Sequence, residues 1–197
     1  RGDSGFLLPV LLAEALDALS HCMESVWNKR ASAVSDAFAA AGISLILDNL
    51  SHALEQPDDI DARRRLQEAA LLGGFAISCT ATALAHSISY PLTSQLGMPH
   101  GLACSFTLPE LIRFNGEEAP RRIAVIAEPM KAAGVNAASV SLTRFFVDWG
   151  VPALVRSYIS DDKARALKDR LLTPGRADNN VRPASHDDAL RIVLLSI

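Results

Sequence analysis

Leu11-Leu12-Ala13-Glu14-Ala15-Leu16-Asp17-Ala18-Leu19-Ser20-His21-Cys22-Met23-Glu24-Ser25-Val26 decides how the rest of the chain is read. Its apolar residues return every three or four positions, and Ala and Leu dominate over β-branched neighbours, so the stretch predicts a helix over Leu11–Val26. The same texture continues downstream. A helix is expected over Val34–Leu54, ending before Pro57, and another from Asp58 or Asp59, whose carboxylates suit a helix N-terminus, to about Leu84. Pro91 and Pro99 should break the chain on either side of a short segment. Further helices are expected from Gly101 to the αL-tolerant pair Asn115-Gly116, over Glu117–Ala133, over Ser139–Trp149 and over Asp161–Leu172. A last one opens at Ser185 with Asp188 as capping partner. No stretch alternates as a strand does, so the expected fold is an all-α helical bundle in one domain spanning residues 1–197.

Composition narrows the function classes. Hydrophobic residues make up 49% and charged residues 21% of 197, the balance of a packed globular chain. The formal charge of −3 and a longest basic run of Arg63-Arg64-Arg65 leave no stripe for nucleic acid. Phe6–Leu12 is too short to cross a bilayer, so no membrane segment is expected. The odd, scattered set Cys22, Cys79 and Cys104 reads as buried reduced thiols, which places the protein in the cytoplasm. The glycines at Gly2–Gly5 and Gly73-Gly74 follow no strand and make no phosphate cradle.

Polar residues stand where core residues are expected. Asp17 and His21 lie four apart, on one helix face and within reach of one ion, although such a pair also occurs as a solvated or mutually hydrogen-bonded couple. His86 sits in the nearly uncharged run Cys79–Ile88, where a satisfied core histidine is the plain alternative. His100, between Pro99 and Gly101, is aimed by a rigid backbone, whereas His52 and His186 lie in polar helix-end contexts. One carboxylate with three imidazoles is a donor set for Fe²⁺ or Zn²⁺ rather than Ca²⁺.

Several segments carry a family resemblance. Asp17-Ala18-Leu19-Ser20-His21-Cys22-Met23-Glu24 resembles the first ligand helix of the iron-containing (group III) alcohol dehydrogenases. Ala85-His86 through Gly97-Met98-Pro99-His100-Gly101 resembles their second ligand region, and Ser105–Pro109, Phe114-Asn115 and Gly175–Asn180 continue the likeness in order. The resemblance implies the helical C-terminal domain of such an enzyme, with Asp17, His21, His86 and His100 holding a divalent metal, Fe²⁺ foremost and Zn²⁺ as the alternative. It also implies a small aldehyde or alcohol substrate, a homo-oligomer, and NAD(P)H held by an α/β domain missing from these residues. The metal would polarise the substrate oxygen while the nicotinamide supplies hydride. Where many family members carry a proton-relay histidine this chain has Tyr90, and a phenol is a poor base at neutral pH. Related lyases of the dehydroquinate-synthase type share the architecture, but Met98–Cys104 fits the dehydrogenase branch better. A truncated, non-catalytic metal- or partner-binding domain is the other reading.

Ser87–Thr93 with Gly101–Phe106 looks most like the phosphonoacetaldehyde reductase branch, whose anionic substrate needs a cation. Lys29 or Arg30 would supply it if the first helix continues, with Lys29 about 12 Å along the axis from His21.

Overall fold

α1 (Ser4–Val26), α2 (Ala33–Glu55) and α3 (Ile60–Thr80) pack against one another as the trunk of the molecule. The computed structural model describes residues 4–197, with side chains from Pro9 onward. Gly2, part of the N-terminal glycine reading, lies outside the described residues. α4 (Leu84–Leu96) and the short α5 (His100–Ser105) cross the trunk. Then follow α6 (Leu108–Glu118), α7 (Pro120–Ala127), α8 (Val135–Asp148), α9 (Val151–Tyr158), α10 (Asp161–Ala166) and α11 (His186–Ser196). Among the described residues there is no strand; one isolated antiparallel bridge joins Asn28 to Asn180. The all-α expectation holds.

The helix ends have local causes. Ser32 and Ser35 form a reciprocal capping box ahead of α2, and the Asp59 carboxylate accepts the Asp61 and Ala62 amides at 2.9 and 3.0 Å ahead of α3. Ser185 and Asp188 do the same for α11, as their spacing predicts. α1 stops where Arg122 closes on it. This guanidinium donates to the Val26 carbonyl at 2.8 and 3.0 Å and grips Asp36 with both arms, placing positive charge at the negative end of the helix dipole. α2 is long and apolar enough to cross a bilayer by length and composition, yet Ile43, Ile46 and Leu50 on it are buried in the common core.

The structure corrects several boundaries. Pro91 does not break its segment: it sits inside α4, where the core packing of Leu84–Ser89, Pro91 and Leu92 outweighs the one backbone hydrogen bond that proline cannot donate. The third helix ends at Thr80, not Leu84. Ala81 turns the chain with φ +76°, a region that costs an alanine strain, and α4 leaves at 110° to α3. The helix expected from Gly101 to Asn115-Gly116 is two helices, broken at Phe106-Thr107. Asn115 and Gly116 lie within α6; Gly116 is needed for space, since a Cβ there would meet Val135 Cγ1 at 2.4 Å. The expected Glu117–Ala133 helix is α7 alone: Glu117 and Glu118 end α6, Pro120 opens α7, and Pro129 follows its end. Cys79 is exposed, contrary to its reading as a core thiol, because it falls on the solvent face of α3; Cys22 and Cys104 are buried as expected. Gly73 and Gly74 lie inside α3, and a Cβ on Gly73 would press on the Ala18 carbonyl at 3.0 Å.

Candidate metal centre

α1 presents Asp17 and His21 one turn apart, with His21 Nε2 3.8 Å from Asp17 Oδ1. The bend after α3 aims the first turn of α4 at the same point, so that His86 Nε2 lies 3.7 Å from that oxygen. Pro99 then starts α5 so that its first residue, His100, brings a third Nε2 to 3.8 Å. α5 reaches this position because Gly101 has no side chain: a Cβ there would lie 1.9 Å from the Ala13 carbonyl oxygen. Three imidazole nitrogens therefore surround one carboxylate oxygen. The His21 and His86 rings stack at 4.9 Å, and His100 meets His86 edge-on at 5.3 Å.

This donor set fits a divalent transition metal. Bonds of about 2.0–2.2 Å to N and O put neighbouring donors roughly 3–4 Å apart. His86 is 3% exposed, and its Nε2 is buried without a hydrogen-bond partner, the condition of a donor waiting for an ion. His86 and Cys104 are buried, Asp17 and His21 are each about one-quarter exposed, and His100 is the most open of the set at 43%.

Electrostatics reinforce the arrangement. Burial alone would raise the Asp17 carboxyl, but the facing histidines and the Cys104 thiol hold it down at about 2. Burial keeps His21 below the usual histidine value against the pull of Asp17, which favours the neutral ring a metal requires. Burial would also lower His86, yet Glu24 and Asp17 outweigh it and push the ring up to about 10, so a proton stands in for a cation. Cys104 Sγ donates to Asp17 Oδ1 at 3.1 Å, and burial with the Asp17 charge holds this thiol well above its usual range.

Sequence reasoning assigned no role to two of these residues. Cys104 lies so close that donor atoms of Asp17, His86, His100 and Cys104 all fall within 4.8 Å of one another, a tight set in which the thiol stands where the sequence placed His21. Glu24, fully buried, accepts from His86 Nδ1 at 2.5 Å. A signal for Glu24 was present, because Asp17, His21 and Glu24 are spaced four and three apart on one helix face. Nothing in sequence spacing signalled Cys104.

The remaining candidates are placed differently. Tyr90 is half-buried on α4, one turn after His86. Lys29 and Arg30 do not share a helix with His21, because α1 ends at Val26. Lys29 Nζ donates to the Asp178 carbonyl at 2.7 Å and borders a cleft formed with Thr173, Pro174 and His186. Arg30 is exposed, its amide held by the Asn28 side chain at 2.9 Å.

Comparison with known proteins places the whole arrangement. Residues 12–196 match the Fe-containing alcohol dehydrogenase family, C-terminal. The chain is 30% identical over 189 residues to the 1,3-propanediol dehydrogenase of Klebsiella pneumoniae, covering 91% of this chain and 49% of that one. It is 39% identical over 124 residues to the phosphonoacetaldehyde reductase of Streptomyces viridochromogenes, covering 58% of this chain and 31% of the relative. The crystal structure of a 1,3-propanediol oxidoreductase superposes with a TM-score of 0.89 at 28% identity, over 96% of this chain and 52% of that one. The chain thus spans about half the length of the relatives it matches. It belongs to the iron-containing alcohol dehydrogenase family, as the helical C-terminal domain.

Proposed function

We propose that residues 1–197 form the metal-binding domain of a NAD(P)-linked oxidoreductase acting on small alcohols and aldehydes, with Asp17, His21, His86 and His100 as ligands. The observation that carries this reading is the convergence of three Nε2 atoms, one of them buried and unpartnered, on a single Asp17 oxygen. A divalent ion held there, Fe²⁺ or Zn²⁺, supplies Lewis acidity toward the substrate oxygen, with NAD(P)H held outside these residues as redox partner. Asp17 contributes the single negative charge of the set and the histidines its neutral donors. His21 is taken as the fourth ligand because its Nε2 shares the Asp17 oxygen with the other two imidazole nitrogens, while the buried Cys104 thiol donates a hydrogen bond to that oxygen. The exposure of His100 leaves that side of the set open to a substrate.

Metal analysis of the chain and of His86→Ala tests the site: about one ion per chain is expected in the first and none in the second. Equal stoichiometry refutes the assignment. Tyr90, one turn beyond His86, is proposed to exchange a proton or hydrogen bond at the substrate in a supporting role. Tyr90→Phe should then cost less than tenfold in kcat/KM, where loss of a ligand in His100→Ala removes activity altogether.

A narrower substrate reading rests on the likeness to the Streptomyces reductase. Phosphonoacetaldehyde would place a small aldehyde over the metal and an anion beyond it, met by Lys29, Arg30 or a cation outside these residues. The test compares phosphonoacetaldehyde with an uncharged aldehyde of similar size in the complete protein; preference for the uncharged aldehyde sinks the narrower reading.

A further inference from the structure

Ala83, at the N-cap of α4, offers no side chain to that helix. The orphan amides of its first turn, which an N-cap side chain would ordinarily satisfy, are met instead by Glu24 of α1, distant by 61 and 62 residues. Glu24 Oε1 accepts the Ala85 amide at 2.6 Å and the His86 amide at 3.3 Å. Its other oxygen, Oε2, lies 2.5 Å from His86 Nδ1. We infer that Glu24 is the positioning residue of the metal centre: one buried carboxylate both seats α4 and fixes the His86 ring, with the proton on Nδ1 and Nε2 turned to the metal.

The inference rests on the metal-site reading and adds a mechanism to it. A carboxylate has only acceptors, so the nitrogen facing it must carry the hydrogen. That leaves Nε2 as the lone-pair donor, and Nε2 is the buried, unpartnered atom. A ligand histidine whose other nitrogen is held by a carboxylate is oriented and made more basic. Glu24 touches neither substrate nor metal; it acts through His86. Its placement on the face of α1 that carries Asp17 and His21 lets a single helix set two ligands and the orientation of a third.

Glu24→Gln is the sharp test, because an amide has one acceptor and one donor end. With its oxygen on the α4 amides, its NH₂ faces Nδ1 and forces the proton to Nε2, closing the ligand position. Zn²⁺ affinity of the full chain, measured by chelator competition below the unfolding temperature of both proteins, should fall 10–100-fold. A merely structural role would lower the melting temperature and leave the affinity of the folded protein unchanged. A second measurement needs no variant: nitrogen-15 NMR of the Zn²⁺-loaded chain should find the His86 proton on Nδ1. Affinity in Glu24→Gln within threefold of the unaltered chain overturns the inference, as does a His86 proton on Nε2. Failure of the unaltered chain to bind Zn²⁺ at all overturns the metal-site reading and the inference with it.

Discussion

Charged side chains gather in two places near α1, and burial separates what they do. Around the helix, Glu24 and His86 are 0% and 3% exposed, and each lies against groups from another segment. Beyond its end, around the 172–186 segment, Lys29, Lys168–Asp187 and Arg182–Glu117 sit at the surface, the last two pairs with their acidic partners 82% and 67% exposed. Exposed pairs are worth little, because water competes for both charges. Buried ones are costly unless the geometry satisfies them. The first cluster leaves His86 Nε2 buried and unpaired, whereas the charges of the second are paired at the surface.

Metal removal should break the comparison most. The proposed ligands come from three separate helices, so an ion bound to them would tie α1, α4 and α5 together only in the folded state. An ion present at a thousand times its dissociation constant stabilises by about 4 kcal/mol. Adding a chelator should therefore lower the melting temperature by roughly 8–16 °C for a chain of this size. The same chelator should have no effect on His86→Ala. An unchanged melting temperature in the unaltered chain would put the first cluster on the same footing as the second.

Gly101→Ala should come next, at about 3 kcal/mol of lost stability, because the new Cβ would strike backbone rather than a yielding side chain. The only relief is movement of α5 away from α1, which carries His100 off the site. Chemical denaturation and metal titration should fall together; a loss of stability with full metal affinity would mean that the helix shifts without moving His100.

Acidity gives a finer test. The raised value of His86 means that its stabilising contribution to the metal-free chain is fully present below about 6.5, declines above that and is gone above about 10. Metal must displace that proton, so affinity should improve by about 1.4 kcal/mol, tenfold, for each pH unit across this window and level off above it. Metal-loaded protein should lose the dependence of stability on this proton. Calorimetry in buffers of different ionisation heat, at pH 8, should register one proton released at His86; no proton release would show that the ring is already neutral there.

Much of this was legible in the chain. The helical texture of Leu11–Val26 named the fold class, and the capping residues Asp59 and Ser185 marked helix starts correctly because their partners are two or three residues away. Asp17 and His21 could be paired for the same reason. What sequence hid was governed by distant contacts. Pro91 stays helical because α4 is packed into the core on both sides of it, and Gly116 serves Val135 rather than a turn. Glu24 gains its role only when α4 arrives 61 residues later, and Cys104 meets Asp17 across 87. Lys29 was placed on the face of His21 only on condition that the first helix ran on, and α1 ends at Val26, where Arg122, 96 residues away, closes it.

The smallest effect is expected at Lys29, and it sharpens the contrast between the clusters. Its ammonium donates to a carbonyl at an exposed site, so Lys29→Ala should change stability by about 0.5 kcal/mol or less. Metal affinity should not move, since nothing in the ligand set touches it. In the complete protein the variant also separates two origins of anion recognition. With Lys29 tied to Asp178 and beyond the end of α1, the specificity constant for phosphonoacetaldehyde should fall no more than that for an uncharged aldehyde. A selective fall of tenfold or more would mean that the side chain leaves the Asp178 carbonyl and turns to the substrate, and Arg30→Ala, tested in parallel, would show whether the guanidinium shares the task. Equal, small losses in both would mean that neither Lys29 nor Arg30 is the phosphonate's cation and leave Lys29 as a latch between the end of α1 and the Gly175–Asn180 turn.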